Sequence, residues 1–436
     1  MSAGHRAGLA PDTQRPSPGP PGGLPRLLPA RFGDGPGGLD QHLGRHGSPL
    51  RCVMAKNAPD RLIEEVRRAG LTGRGGAGFP AGRKLAAVAA APGRPVVVAN
   101  GTEGEPASAK DKVLLATQPH LVLDGAVLAA EMIRASQAVV VVHAAVRDVV
   151  DQAVAEREAA RLDRVRIQVL TAASGFVAGE ASAVVHWAER GIPAPTLVPP
   201  RLSERGLHGR PTLVQNVETL AHLALIARYG ADWFREVGTP AEPGSMLVTV
   251  VGAVRSPGVA EVEIGLPVTE VIARGGGPAA PLSALLIGGY FGTWVPWPAV
   301  AGRAFSAAGL ADVGAAPGAG LVAALPAGAC GLTETARLAR YLAGESAGQC
   351  GPCVFGLDAI TCELAALADG RAADLGRLRR WLGQVDGRGA CRHPDGAVRM
   401  IRSALDAFGP ELDQHAAGWC TGTSGRAVLP LPARPA

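Results

Sequence analysis

The sequence predicts an α/β domain on a mostly parallel sheet, then a small β-rich domain, then a C-terminal helical bundle. Three observations carry this. Between about Asp60 and Arg235 the apolar runs PVVVAN, AVVVVHA and RIQVLTA alternate with helical stretches such as Asp148 to Leu162, the βαβ pattern of a parallel sheet. From Gly244 to about Ala301, MLVTVVGAV and VAEVEI flank an SPG turn as a hairpin, followed by a short helix at Val268 to Ala273 and the apolar LSALLIGG. From Glu334 to His415 apolar residues recur at helical spacing, at Leu364, Leu367, Leu375, Leu378 and Leu382 and then Ile401, Leu405 and Phe408.

Taken in order, residues 1–55 are rich in Gly, Pro and Arg without periodicity and are expected to form a disordered tail with no signal-peptide core. Residues 417–436 read the same way. The folded parts are expected at 56–240, 241–330 and 331–416. A chain of 436 residues that is 47% hydrophobic can bury several cores. Its net charge of +5, scattered arginines and 4% aromatic content supply no stripe or stacking platform for nucleic acid. The uncharged stretch from Gly275 to Gly302 is interrupted by Pro278, Pro281, Pro296 and Pro298, so no membrane span is expected and the chain reads as cytoplasmic.

The first chemical feature is GRGGAGFPAGRK, Gly73 to Lys84. Glycines let backbone N–H groups curl around a phosphate, with Arg74 and Lys84 supplying opposite charge. The preceding DRLIEEVRRAG reads as a helix with Leu62, Ile63 and Val66 on one face and Gly70 at its end, so an ordinary strand-first dinucleotide turn is not predicted. Next, PVVVANGTEGEPASAKDK runs from a buried strand into Asn100, Glu103, Glu105 and Asp111, placing an amide and carboxylates where open α/β sheets bind ligands. GFVAGEASA, Gly175 to Ala183, and GRPTLVQNVETLAHL, Gly209 to Leu223, follow the same logic.

In this order the four segments resemble the NADH-quinone oxidoreductase F-subunit family, the flavin-binding component of respiratory complex I and its hydrogenase and formate dehydrogenase relatives; the likeness covers about Asp60 to His415. The resemblance implies that FMN is contacted by Gly73, Arg74, Gly75, Gly76, Lys84, Asn100, Glu103, Gly179, Glu180, Asn216 and Thr219. It implies that the hairpin-containing domain is a ubiquitin-like β-grasp. It also implies an NADH:acceptor oxidoreductase in which hydride passes to FMN, Glu105 orients the substrate, and electrons leave through a [4Fe–4S] cluster. Expected partners are a thioredoxin-like iron–sulfur subunit and a larger iron–sulfur subunit, through which any membrane association would run.

The chain departs from the family in two places. ESAGQCGPCVFG places Cys350 and Cys353 in CxxC spacing and GACRHPDG adds Cys391, a set suited to a metal or iron–sulfur centre. Where the family motif has a further cysteine, this chain has Ala347. Three arrangements remain open: a substitute ligand from Cys362, Cys330, Cys420 or His393, a cluster on three cysteines with an outside ligand, or free thiols. On the nicotinamide side the family's aromatic and acidic grips are replaced by Ala87, Arg201 and Ala181, while Phe79 and Glu105 remain. Each lost stacking surface forfeits about 1 kcal/mol. A divergent flavin-binding scaffold, or a flavoenzyme with another donor, therefore stands beside the NADH reading.

Overall fold

The structure is a computed structural model describing residues 22–29, 37–48, 58–196, 199–371, 373–420, 422 and 427–432. Four strands, β1 (Val96–Gly101), β2 (Gln137–Val142), β3 (Arg166–Thr171) and β4 (Thr212–Asn216), form a wholly parallel sheet in the order β3-β2-β1-β4. The valine runs of β1 and β2 are buried on both faces, as covered parallel strands require, whereas the edge strand β3 is half-buried or exposed along its length. Val97, Ala99, Val140 and Val142 pack toward the helices Pro119–Met132 and Val217–Arg235, whereas Val96, Val98, Val139 and Val141 pack toward the helix Ala181–Arg190. The helix expected before the glycine loop spans Ala58–Ala69, and Gly70 after it takes φ +73°.

The second sheet holds β5 (Ser245–Gly252), β6 (Gly258–Glu263), β7 (Leu282–Ile287), β8 (Thr293–Pro296) and β9 (Leu321–Pro326), in the order β6-β5-β9-β7-β8. The β5–β6 hairpin is antiparallel and β5 pairs parallel with β9, the β-grasp topology. The helix Val268–Arg274 buries Val268, Val271 and Ile272 on one face against Val250, Leu285 and Val322. The other face, through Ala284, Leu286, Ala323 and Leu325, packs on the helices Gly331–Gly344 and His393–Ala407 of the bundle. Leu364, Leu367, Leu378, Leu382, Ile401, Leu405 and Phe408 are buried there, and Leu375 packs at the margin.

The two tails differ from their expectation wherever they are described. Residues 39–46 form a helix whose His42 Nε2 lies 2.9 Å from Asp124 Oδ2. Leu27 and Leu28 enter the core, and the Arg26 guanidinium lies 4.0 Å over the Trp233 ring. Backbone N–H groups of Arg26 and Leu27 each donate to Glu261 Oε2 at 2.7 Å. At the other end Leu429 is buried, its N–H donates to Glu334 Oε1 at 2.7 Å, and the Tyr290 hydroxyl donates to the Pro430 carbonyl. Composition carried no sign of this because single anchoring residues, not periodic faces, fasten these segments. Cys52 lies outside the described residues.

No single described helix is long and apolar enough to cross a membrane. The helices Pro119–Met132 and Val217–Arg235 touch at Gly125, where an added Cβ would stand 1.9 Å from the Leu220 carbonyl oxygen. Only glycine permits this approach. Gly125→Ala should therefore cost on the order of 3 kcal/mol through forced separation of the two helices, read as a lower urea midpoint.

Candidate functional site

The glycine loop is fastened below and open above. Gly73 N–H donates to the Phe79 carbonyl at 2.9 Å, and Thr72 bridges to Pro80. Gly75 through Pro80 are exposed, and Gly76 at φ +105° holds a conformation that side chains avoid. Arg74 does not face outward as its expected role required. Its guanidinium is buried and donates to the Ser245 carbonyl (3.0 Å from Nη2) and to Thr72 Oγ1 (2.7 Å), while its N–H donates to Thr219 Oγ1 at 2.9 Å. Arg74 and Thr219 thus anchor the loop to β5 and to the helix Val217–Arg235. Lys84, on the helix Ala81–Ala89, reaches the Val214 carbonyl near the end of β4; burial lowers its pKa, partly opposed by Glu180.

Behind the loop the C-terminal ends of β1 and β4 present the two asparagines. Asn100 Nδ2 donates to the Gly179 carbonyl at 2.9 Å, tying GFVAGE to β1. Asn216 caps its helix by accepting from Glu218 N–H at 3.0 Å and donates to Asp111 Oδ2 at 2.7 Å. Gly75 lies against Asn216, its virtual Cβ 3.4 Å from Asn216 Cβ. Glycine loop, asparagines and Gly179 therefore border one cleft.

The three glutamates expected there behave differently. Glu103, at φ +46°, caps the helix Lys110–Thr117 by accepting from Asp111 and Lys112 N–H groups, both at 3.1 Å. Glu180 caps the helix Ala181–Arg190, accepting from Ser182 and Ala183 N–H groups at 2.8 and 3.0 Å. Glu105 accepts from Tyr290 N–H at 2.7 Å through Oε2, while its Oε1 is buried without a partner among the described residues. Burial pushes Glu105 up to about 8, against the opposing pull of backbone N–H groups from Tyr290 and Ala107.

Beneath the cleft lies an ion cluster that sequence reasoning missed apart from Asp111. Lys110 Nζ stands 2.6 Å from Asp111 Oδ1 and 2.8 Å from Glu218 Oε2, all three buried. Glu218 Oε1 accepts from Leu247 N–H at 2.8 Å and lies 3.9 Å from Arg74 Nε. Burial raises Asp111 to about 6, with Lys110 opposing. Lys110 and Glu218 sat inside the SAKDK and NVET strings, but charge alone does not announce burial.

Of the expected metal residues, Cys353 lies in the π-helical turn Pro352–Leu357 and Cys391 just before the helix His393–Ala407, two elements that pack on each other. Cys353 donates its N–H to the Cys350 carbonyl at 3.2 Å, and its thiol is pushed up to about 12 by burial and then by neighbouring Cys350. Cys391 is raised by burial and further by the charges of Glu180 and Cys350. Three thiols are the donor type for three corners of a cluster, and a bound cation would stabilise the thiolate forms that burial disfavours. Ala347 offers no fourth donor. Of the proposed substitutes, Cys330 is divided from Ala347 by the whole helix Gly331–Gly344, roughly 20 Å by helical rise. Cys420 lies beside Cys330, and Cys362 is exposed and more than two helical turns beyond Cys353. His393 packs between Phe176 and Phe291, its Nε2 2.7 Å from the Leu342 carbonyl. Phe176 N–H also donates to Glu345 Oε2 at 2.6 Å, docking the GFVAGE segment onto the cysteine-bearing turn.

Residues 66–225 match the Nuo51 FMN-binding domain, 333–415 the NADH-ubiquinone oxidoreductase-F iron-sulfur binding region and 247–286 the SLBB domain. Fold and site together define an FMN-binding, 51 kDa-type subunit with a 4Fe–4S region. The second of two F-type subunits of NADH-quinone oxidoreductase in Rhizobium meliloti is 31% identical over 386 residues, covering 84% of this chain and 91% of the relative. The F-type subunit of the same enzyme in Streptomyces coelicolor is 32% identical over 402 residues, 87% of each. The chain belongs to the NADH-quinone oxidoreductase F-subunit family. A solved chain of NAD+-reducing [NiFe]-hydrogenase in the H2-reduced state superposes with a TM-score of 0.76 at 31% identity; the match covers 82% of this chain and 63% of that one.

Because the folded pKa of Glu105, about 8, exceeds its ordinary value of 4.5, the native protein keeps a proton that the unfolded chain has lost between those values. Stability then falls as pH rises through that window, by at most about 1.4 kcal/mol per unit. In the flavin-free protein, Glu105→Gln should flatten the drop in urea midpoint between pH 5.5 and pH 8. An equal drop in both proteins would contradict this assignment.

Proposed function

We propose that the protein is an FMN-dependent electron-transfer subunit that oxidises NADH and hands electrons singly to an iron–sulfur partner. The observation that carries the reading is the seating of the GFVAGE segment: Asn100 Nδ2 at the end of β1 donates to the Gly179 carbonyl at 2.9 Å, and Phe176 N–H donates to Glu345 Oε2, beside the cysteine-bearing turn, at 2.6 Å. The flavin side and the sulfur side are adjacent.

The residues present fit FMN: an open glycine loop, a lysine beside it and an unpaired buried carboxylate oxygen. Gly73, Gly75, Gly76 and Lys84 would hold its phosphate, with Arg74 and Thr219 keeping the loop in place. Asn100, Gly179 and Asn216 would border the ribityl chain and ring. When bound, the flavin supplies hydride acceptance and the cluster single-electron transfer. Glu105, protonated at neutral pH by its raised pKa, would donate or accept a hydrogen bond through Oε1 and orient the nicotinamide ribose. Phe79, 51% exposed with the Arg83 guanidinium 5.7 Å from its ring, is the remaining aromatic grip for NADH. Cys350, Cys353 and Cys391 would hold the cluster. Beside them Val354 and Phe355 are exposed, Phe355 at 75%, an apolar landing for the thioredoxin-like and larger iron–sulfur subunits. Such partners would also provide any link to a membrane.

A second reading, a flavin-binding scaffold with weak NADH oxidation, is favoured by Ala87, Ala181, Arg201 and Ala347. Anaerobic purification with flavin and iron quantification, then NADH addition, decides between them. Bleaching of bound flavin by NADH supports electron transfer; flavin that stays oxidised at millimolar NADH sinks it. Lys84→Ala should weaken FMN binding about 10- to 100-fold, the worth of a charge-assisted hydrogen bond, measured by flavin fluorescence titration. Ala347→Cys should raise iron toward about four per chain, and unchanged iron would show that this corner is not the one that lacks a ligand.

A further inference from the structure

A second group of metal-binding side chains lies at the opposite end of the helix Gly331–Gly344 from the cysteine cluster. The ligand atoms of Cys330, His415 and Cys420 all lie within 4.8 Å of one another. Cys330 Sγ is 3.2 Å from His415 Nε2 and 3.3 Å from Glu411 Oε2. A tetrahedral zinc ion with ordinary bond lengths would set sulfur-to-nitrogen or sulfur-to-oxygen edges of about 3.6 Å and a sulfur-to-sulfur edge of about 3.8 Å. The two Cys330 spacings lie within a few tenths of an ångström of these edges, and side-chain rotation of exposed Cys420 and of Glu411 would draw the remaining donors in.

We propose that Cys330, His415 and Cys420, with the Glu411 carboxylate in the fourth position, form a structural site for a zinc-class divalent cation. Two thiolates and an imidazole select a borderline-soft ion over magnesium or calcium. Each sulfur already accepts a backbone N–H, Cys330 from Thr333 and Cys420 from Gly422, both at 3.3 Å, an arrangement that stabilises a thiolate ligand. Glu411 is held in place by accepting from Gly331 N–H at 2.9 Å. The ligands come from three places: the N-cap of the helix Gly331–Gly344, the helix Gly409–Ala416 and the segment beyond it. A bound ion would clasp that final segment to the bundle just before it runs back to Leu429 and Glu334.

The test uses the full chain, purified anaerobically with its thiols reduced, with total zinc measured and then cobalt(II) reloaded as the probe. The triple variant Cys350→Ser, Cys353→Ser and Cys391→Ser serves as background, so that the cluster cysteines do not contribute. The expected result is about one zinc per chain, with thiolate-to-cobalt charge transfer and intense tetrahedral visible bands. Loss of an outer-shell partner alone costs ~10–100-fold in affinity, so Cys420→Ser and His415→Gln should each weaken cobalt binding more than about 100-fold. Cys420 is exposed, and unchanged far-UV circular dichroism of its variant separates ligand loss from unfolding. Metal-free protein without cobalt bands, a Cys330–Cys420 disulfide in peptide mass spectra of the reduced preparation, or bands that survive Cys420→Ser would overturn the proposal.

Discussion

Glu218 is the point from which the cleft is built. It is fully buried at the start of the helix Val217–Arg235, and a carboxylate in that setting persists only if its charge is matched and its lone pairs filled. Lys110 matches the charge from the start of a second helix, Leu247 N–H fills one oxygen from β5, and the Arg74 guanidinium approaches from the glycine loop. One carboxylate thus fixes the relative placement of the loop, the segment following β1 and the first strand of the β-grasp sheet. Breaking a buried pair from one side leaves the other charge stranded, at several kcal/mol, so loop position and domain position are energetically one quantity.

The parallel sheet was legible because β1 and β2 carry runs of three and four valines and its helices carry regular apolar spacing. The β-grasp hairpin was legible from SPG between two alternating runs. The cleft was legible in outline, since Gly75, Asn100, Gly179 and Asn216 come together as the order of the four segments implied. What residue types concealed was direction. Arg74 reads as a phosphate cation beside glycines, yet its side chain turns inward to Ser245. Glu103 and Glu180 read as ligand carboxylates, yet each is occupied in capping a helix, a role set by backbone N–H groups that no string displays.

The cysteines illustrate the same limit in another way. The CxxC spacing and the distant Cys391 pointed to one cluster, and the turn that holds Cys353 packs on the helix that follows Cys391. Whether the remaining cysteines belonged with them was unreadable, because the separation depends on a helix between them rather than on their order along the chain. A rigid rod of fourteen residues keeps the two groups apart. Thiol chemistry at one end is insulated from the other.

The seating of the N-terminal segment has a consequence for how the molecule is made. Arg26 and Leu27 fasten to Glu261, partners 235 and 234 residues away along the chain. During synthesis these early residues emerge long before the β5–β6 hairpin exists, so they wait unplaced while the parallel sheet assembles around its local contacts. Until they arrive, Glu261 faces an apolar interior without its backbone donors. Arg26 and Leu27, translated ahead of the hairpin, are therefore among the last residues to settle, and their arrival closes the joint between the flavin domain and the β-grasp sheet.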